Sequence, residues 1–422
     1  MSQSPVSIIE TRETLFFSHE AGALRQWIMV TVASSLGRNV PARVAISAGG
    51  QEAVTELHLQ PGVHEYRCHA PTLWPEHAPE AEAPVRLQAG GYEASATAAV
   101  GHHRPWTLYV LTDDCTDYAW VYGDEQTLRA DDAELTHAEL VLTESTRDNP
   151  PENRNHYNMA VGRQVEFYLE RYPENADKLF NAMRAGLIGF NPFFNMCLSG
   201  VVSLEELFRQ FYPSREIALD EDLDLCYANH QETPAITWPY ATVMAECGIR
   251  YLVKGNLPYE CPWYKRYQEP PVFWWEGPDG SRILYRRRNE DYVEGNFILR
   301  DLRHVNTTVH TRLIPGYEAL GERYPFSAAG LVGVYGDLSP DTRNQGAKRV
   351  ALIGAYNAQG WEYPKLVNAS HAQFWTDVEA QMAARQVQLP VFRGDYGAGW
   401  EAWPASLAAY LAGWRRAQEK VA

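Results

Sequence analysis

At Arg104 the hydrophobic pattern of the chain changes period, and that change constrains the fold more than any other feature. Before it, residues 1–102 carry short runs of alternating apolar and polar side chains, as in 27–32 (WIMVTV), 42–46 (ARVAI) and 85–88 (VRLQ). A period of two puts successive side chains on opposite faces of a strand, so one face can be buried and the other wetted. Gly-Gly and Pro-Gly pairs punctuate these runs at short intervals, which predicts a small β-sandwich. The Pro- and Glu-rich stretch 75–84 reads as a loop inside it. After Arg104, strands alternate with helices. Residues 158–171 and 175–186 are helical by period, 187–190 is a short strand, and Ser203 with Glu206 forms a capping-box pattern that opens another helix. A helix over 240–247 leads to a strand at 249–253, and a helix from about Leu407 closes the chain. This rhythm predicts a parallel sheet, most simply a closed α/β barrel, over 103–422.

Within that second region, residues 106–111 (WTLYVL) are an apolar β-type run that breaks into Asp113, Asp114, Cys115 and Asp117. The C-terminal edge of such strands is where barrel active sites sit. The spacing of Cys115 and Asp117 lets two side chains of an extended segment point the same way and share a metal ion, although a polar loop after a strand has the same composition. Asp113 and Asp114 flank that pair.

Composition narrows the partners. A formal charge of −16 argues against nucleic acid and anionic membrane, which need a basic surface. No apolar run reaches 18 residues, so no membrane span is expected. The start, Met-Ser-Gln-Ser-Pro-Val, lacks the basic and apolar regions of a secretion signal. Six scattered cysteines without a CxxC pair fit a reducing cytoplasm. Thirteen Trp and 24 Tyr suit sugar faces as well as ordinary cores. There is no phosphate-cradling GxxxxGK[ST], no GxGxxG after a strand and no GxSxG elbow. Homo-oligomerisation is left open.

Five stretches, in order, resemble the N-terminal catalytic domain of glycoside hydrolase family 38, the α-mannosidases, and more closely its divergent bacterial branch. Residues 104–111 (RPWTLYVL) resemble the first barrel strand, and 115–120 (CTDYAW) take the place of the family's His-x-Asp metal pair and following aromatic. Residues 232–238 (ETPAITW) resemble Asp-Val-Pro-Gly-His-Thr-Trp, and 245–252 (AECGIRYL) the helix end and strand after it. Residues 273–284 (FWWEGPDGSRIL) look like the strand-turn-strand with a sugar-facing aromatic rim. Gly336-Asp337 and 394–403 (GDYGAGWEAW) resemble two further strand-end segments.

The resemblance implies a seven-stranded α/β barrel following the sandwich, a carbohydrate substrate and a zinc ion. It assigns Glu232 as nucleophile and metal ligand, Asp337 as general acid, and Cys115, Asp117 and Glu401 as the remaining ligands. The side chains assigned to the sugar are Trp120, Trp238, Trp274, Trp275, Tyr292, Asp395 and Trp400. The departures are chemical: Cys115 stands for the family's histidine, Glu232 for its aspartate, and Ala160 for a glutamate. A glutamate one methylene longer can still attack C1, but moving its oxygen by about 1 Å can cost on the order of 100-fold. Family members continue into a helical bundle and β-sandwiches, so the resemblance implies either a part of such a protein or a short relative. His230 is available as a substitute ligand, while His304 and His310 lie on a polar stretch. The run 286–288 (RRR) reads as a solvated strand end or as a site for a sugar carboxylate. Three readings follow: a retaining glycosidase, a carbohydrate-binding relative without catalysis, or an elimination on an acidic sugar.

Overall fold

The structure is a computed structural model that describes residues 4–74, 81–114, 125–230, 236–254, 269–287, 294–334, 345–396 and 406–421. It divides into two compact units. The first comprises Met1–Thr107 with Thr307–Gly321 and Tyr356–Lys365; the second comprises Leu108–Asn306, Glu322–Ala355 and Leu366–Ala422.

The first unit begins with seven strands: β1 (Val6–Glu20), β2 (Ala23–Ser34), β3 (Val40–Ala48), β4 (Gln51–Leu59), β5 (Gly62–Pro71), β6 (Ala81–Ala89) and β7 (Tyr92–Val100). They form two antiparallel sheets of order β1-β2-β5 and β4-β3-β6-β7. Inward residues of both sheets, including Ile28, Val30, Val44, Ile46, Val85 and Leu87, share one core. Each such aliphatic side chain contributes about 2 kcal/mol when fully buried. Two-residue turns set the registers: Ala21-Gly22, Gly49-Gly50 and Gly90-Gly91 all have positive φ, as tight hairpins between right-twisted strands require. Residues 81–84, expected as loop, extend β6 instead. Pro84 is tolerated there because it pairs with Thr97 of β7 and lies beyond the last β6–β3 pair, Ile46 with Val85. The two later segments complete this unit: the Phe17 N–H donates to the Tyr363 carbonyl at 2.8 Å, and Phe16 packs on Trp361 and His310.

From Thr107 the order is β8 (Thr107–Asp113), α1 (Glu125–Ser145), β9 (Tyr157–Asn158), α2 (Arg163–Arg171), α3 (Ala176–Arg184), β10 (Ile188–Gly189), α4 (Leu204–Arg209), α5 (Tyr212–Asp220), β11 (Tyr227–His230), α6 (Pro239–Glu246) and β12 (Tyr251–Lys254). It continues with β13 (Val272–Glu276), β14 (Arg282–Arg287), α7 (Leu302–Thr308), α8 (Ile314–Glu318), β15 (Ala328–Val334), α9 (Gly346–Asn357), β16 (Lys365–Ala369), α10 (His371–Arg385), β17 (Val391–Phe392) and α11 (Ala408–Val421). The strands form a mixed α/β body with two five-stranded sheets. One has the order β10-β9-β8-β15 with β16 also on β8, and the other β11-β12-β14-β13-β17. The ladders β8–β9–β10 and β11–β12–β14 are parallel, whereas β13 runs antiparallel to β14 through a tight turn at Gly277–Gly280. Among the described residues no ladder joins the two sheets into a closed barrel.

The capping box expected at Ser203 and Glu206 is present and starts α4. The helix expected over 158–171 begins only at Arg163, because Asn158 pairs with Asp113 in the β8–β9 ladder. One face of the second unit's sheets packs on α2 to α6 through a core that includes Val165, Phe180, Leu207, Tyr240, Leu252 and Tyr285. The opposite face meets α10. Phe374 packs on Tyr109 of β8 and lies under the Arg286 guanidinium of β14, Trp375 stacks on Tyr251 of β12, and His371 lies against Tyr227 of β11. One helix therefore fastens strands of both sheets. No described helix is long and apolar enough to cross a membrane.

Candidate active site

The C-terminal ends of the parallel strands carry an unusual load of buried polar side chains. Tyr109, Leu111 and Asp113 alternate onto the face of β8 that meets α10, and Asp113 is fully buried. A buried carboxylate is tolerated only where hydrogen bonds replace its water. Asn229 Nδ2, from the end of β11, donates to Asp113 Oδ2 at 2.7 Å. His371 Nε2, from the first residue of α10, lies 3.0 and 3.2 Å from the two carboxylate oxygens. The His371 N–H donates to Asn158 Oδ1 at 3.1 Å, and Asn158 Nδ2 donates to the Thr112 carbonyl at 2.9 Å. Asn191, just past β10, donates to the Asn229 carbonyl at 2.7 Å. Four strand ends and one helix start are thus stitched together by side-chain amides. Gly189 belongs to the same frame, because a Cβ there would collide with the Tyr227 hydroxyl and Asn158. Two buried atoms of the cluster, His371 Nδ1 and Asn229 Oδ1, have no hydrogen-bond partner among the described residues.

Asp114, the next residue, is buried on the other side of β8. It accepts from the Ala160 N–H at 2.8 Å and from Gln164 of α2. Burial pushes its carboxyl up to about 7, the hydrogen bonds from Gln164 and Ala160 notwithstanding, and the neighbouring Asp113 charge adds to the rise. A carboxyl in that range can hold or release a proton near neutrality.

In the second sheet the register aligns Asn229, Val253 and Arg286 in one row and His230, Lys254 and Arg287 in the next. The expectation of a solvated strand end fails here: Arg286 and Arg287 are buried. Arg286 faces Glu294 at 3.1 Å and Arg287 faces Glu269 at 3.6 Å. Burial, with the Lys254 charge beside it, holds the His230 imidazole well below its usual range and therefore neutral.

Among the side chains assigned to a sugar, the structure brings three together. The Trp238 N–H donates to Asp395 Oδ1 at 2.6 Å, the Trp275 indole donates to the Gly394 carbonyl at 3.0 Å, and Ile236 bridges Tyr396. Trp275 is a core residue, fully buried against Tyr285 and Tyr396, which leaves no ring face for a sugar. Trp238 and Trp274 are half-buried, and Asp395 is exposed. Cys115, Asp117, Trp120, Glu232, Tyr292, Asp337, Trp400 and Glu401 lie outside the described residues. Among those described, no group of three His, Cys, Asp or Glu side chains is placed to hold a metal. Sequence reasoning missed Asn158, Gln164, Asn191, Asn229 and His371. Of these, Asn191 and Asn229 directly follow the short apolar runs 187–190 and 225–228, the one signal that could have flagged them.

The described cysteines Cys68, Cys197, Cys226 and Cys247 are free thiols. Burial pushes Cys68 up to about 12 and Cys197 and Cys247 up to about 11, and it raises Cys226 as well.

No protein-family profile and no curated protein matches the chain. Solved structures do resemble it. An α-mannosidase from Enterococcus faecalis V583 superposes with a TM-score of 0.50 at 15% identity, over 69% of this chain and 31% of that one. A protein in glycosyl hydrolase family 38 from Enterococcus faecalis gives 0.49 at 14% identity, over 69% and 29%. A GH57 branching enzyme from Thermococcus kodakaraensis gives 0.43 at 11% identity, over 70% and 74%. The chain spans less than a third of the length of either Enterococcus protein. The likeness to the α-mannosidase is one of fold.

Proposed function

We propose that this chain is a glycoside-processing enzyme of the α-mannosidase type, acting at the C-terminal edge of its parallel strands. The observation that carries the proposal is the buried Asp113–His371–Asn229 frame. It fixes Asp113, the last residue of β8, two residues before Cys115, and Asn229 of β11 three residues before Glu232. Costly polar burial at that edge, on a fold shared with an α-mannosidase, is what a site needing rigid support looks like. The finer architecture proposed with it is a seven-stranded α/β barrel, which the parallel ladders β8–β9–β10 and β11–β12–β14 favour.

In this reading Glu232 attacks the anomeric carbon as the C1–O bond breaks, and Asp337 gives its proton to the leaving oxygen. Asp337 then takes a proton from water as the water attacks C1, which releases Glu232. Cys115, Asp117, Glu232 and Glu401 would hold the zinc, whose chemistry is to polarise sugar hydroxyls. A second reading has a specific observation behind it. Lys254 and Arg287 are cations in direct register and both buried, Arg287 beside Glu269 at 3.6 Å, and this concentration of positive charge at the strand ends would suit a sugar carboxylate. Cytoplasmic residence belongs to the proposal, and the free thiols favour it.

The test is release of 4-nitrophenol from 4-nitrophenyl α-D-mannoside, beside zinc content of wild type, Cys115→Ala and Asp117→Ala. Turnover that disappears in Glu232→Gln, with about one zinc per chain lost in both metal variants, is expected. Inert mannoside together with degradation of a uronate-containing glycan would replace the first reading with the second. No turnover and no zinc would overturn the enzyme.

A further inference from the structure

Away from the strand ends, α4 and α11 flank a groove of about 310 Å³. Its walls carry Glu205, Glu206 and Arg209 from α4 and Trp414 and Gln418 from α11. Trp414 is 51% exposed, and Tyr410, one turn earlier on the same face, is 79% exposed. Two aromatic rings one turn apart are separated by about 6 Å along the helix, close to the length of one sugar ring. An exposed ring offers the apolar face on which sugar C–H bonds stack, and its cost in water is recovered only when something covers it. The second observation concerns hydrogen bonding. Gln418 Nε2 is buried in the groove wall and has no acceptor among the described residues. Beside it, Glu205 pairs with Arg209 at 2.8 Å, leaving a half-exposed carboxylate and guanidinium on the rim. An orphaned amide donor, two acids and an arginine around an aromatic floor form a set that suits hydroxyl groups.

Size decides between occupants. A stable protein partner covers about 800 Å² per side with an apolar centre. The groove lies at the lower limit of small-ligand sites, about 300–1,000 Å³, room for one or two sugar rings. Its floor is one indole and its rim is charged. We propose that the α4–α11 groove is a second carbohydrate-binding site, separate from the strand-end site, that holds a polysaccharide chain on the Trp414 platform. The Gln418 amide donates to a sugar hydroxyl, and Glu205 and Glu206 accept from others. This inference rests on the reading of the protein as one that handles carbohydrate.

Affinity electrophoresis through native gels containing soluble α-mannan tests it, with 4-nitrophenyl α-D-mannoside hydrolysis measured on the same preparations. Wild type and Trp414→Phe are expected to be retarded, while Trp414→Ala runs as in a gel without polysaccharide and Gln418→Leu is retarded several-fold less. Turnover of the small mannoside is expected to stay the same in all of them. Equal retardation of wild type and Trp414→Ala, or no retardation of wild type, overturns the groove site even if the mannoside is cleaved. Retardation that depends on Trp414 without any hydrolysis leaves the groove site standing and removes the proposed enzyme. A wild-type dimer in size-exclusion chromatography that Trp414→Ala converts to monomer would make the groove a self-association surface and would also overturn it.

Discussion

Asp113 is held by Asn229 and His371, which lie 116 and 258 residues further along the chain. Such a carboxylate exerts its influence through what its loss exposes. Replacing it with leucine removes the acceptor for two buried donors, and each orphaned group then carries its own desolvation cost. Asp113→Leu is expected to lower stability by about 3 kcal/mol in urea denaturation, the range for breaking one partner out of a buried polar pair. Two histidines supply a prediction in pH. Burial holds His156 and His310 at about 4, against a usual value near 6.5. Each binds its proton more readily in the unfolded chain, so the stability tied to its neutral form is complete above about pH 6.5 and is lost as pH falls toward 4. The melting temperature is expected to drop across that window, and the slope should flatten in His310→Phe, whose ring keeps the contacts with Phe16 and Trp361. His310 had looked unremarkable because its sequence neighbours are polar. Its environment comes from residues far away in the chain.

Elements were legible where local chemistry decides them. The capping box at Ser203 is written in four consecutive residues, and the turns of the first unit in Gly-Gly pairs. What decides β9 is a partner strand, so the helical period across 158–171 misplaced its start. β13 and β14 are, by contrast, the strand-turn-strand that residues 273–284 resemble, an antiparallel pair inside a region otherwise read as parallel. A second capping box, Ser370 with Gln373, begins α10 and sets the height at which His371 meets Asp113. Ser370→Ala is expected to cost about 1 kcal/mol, as lost N-caps do. Because the cap positions His371, a Ser370→Ala/Asp113→Leu pair should cost measurably less than the sum of its parts in a double-mutant cycle. Full additivity would mean that the cap acts on the helix alone.

For the molecule as a whole, the first compact unit is not one continuous stretch, since residues 307–321 and 356–365 belong to it together with 1–107. Nothing local marks them, since their contacts are with Phe16, Phe17 and Trp27 near the other end of the chain. A fragment of residues 1–107 is therefore expected to lack part of its packing. Its Trp27 emission should be red-shifted and its unfolding midpoint in urea lower than that of the first unit in the full chain. Of the residues that the resemblance to family 38 assigns to chemistry, Cys115 and Asp117 follow β8 in the chain and Glu232 follows β11. The frame of Asn158, Asn229 and His371 was hidden because asparagine and histidine at the end of a short strand look like loop residues until the partner strands are known.

The depth at which the thiols of Cys68, Cys197, Cys226 and Cys247 lie has a use beyond packing. With a pKa of about 11, only about one thiol in ten thousand is ionised at pH 7, and alkylating reagents attack the thiolate. Cys197 and Cys247 are therefore expected to react slowly with iodoacetamide in the folded protein, and burial, which raises Cys68 and Cys226 too, is expected to slow them likewise. Covalent labelling read out by mass spectrometry then reports on the two remaining cysteines, Cys115 and Cys261, and slower modification of Cys115 in the presence of zinc would give the proposed ligand a signal of its own, with Cys261 as the internal standard.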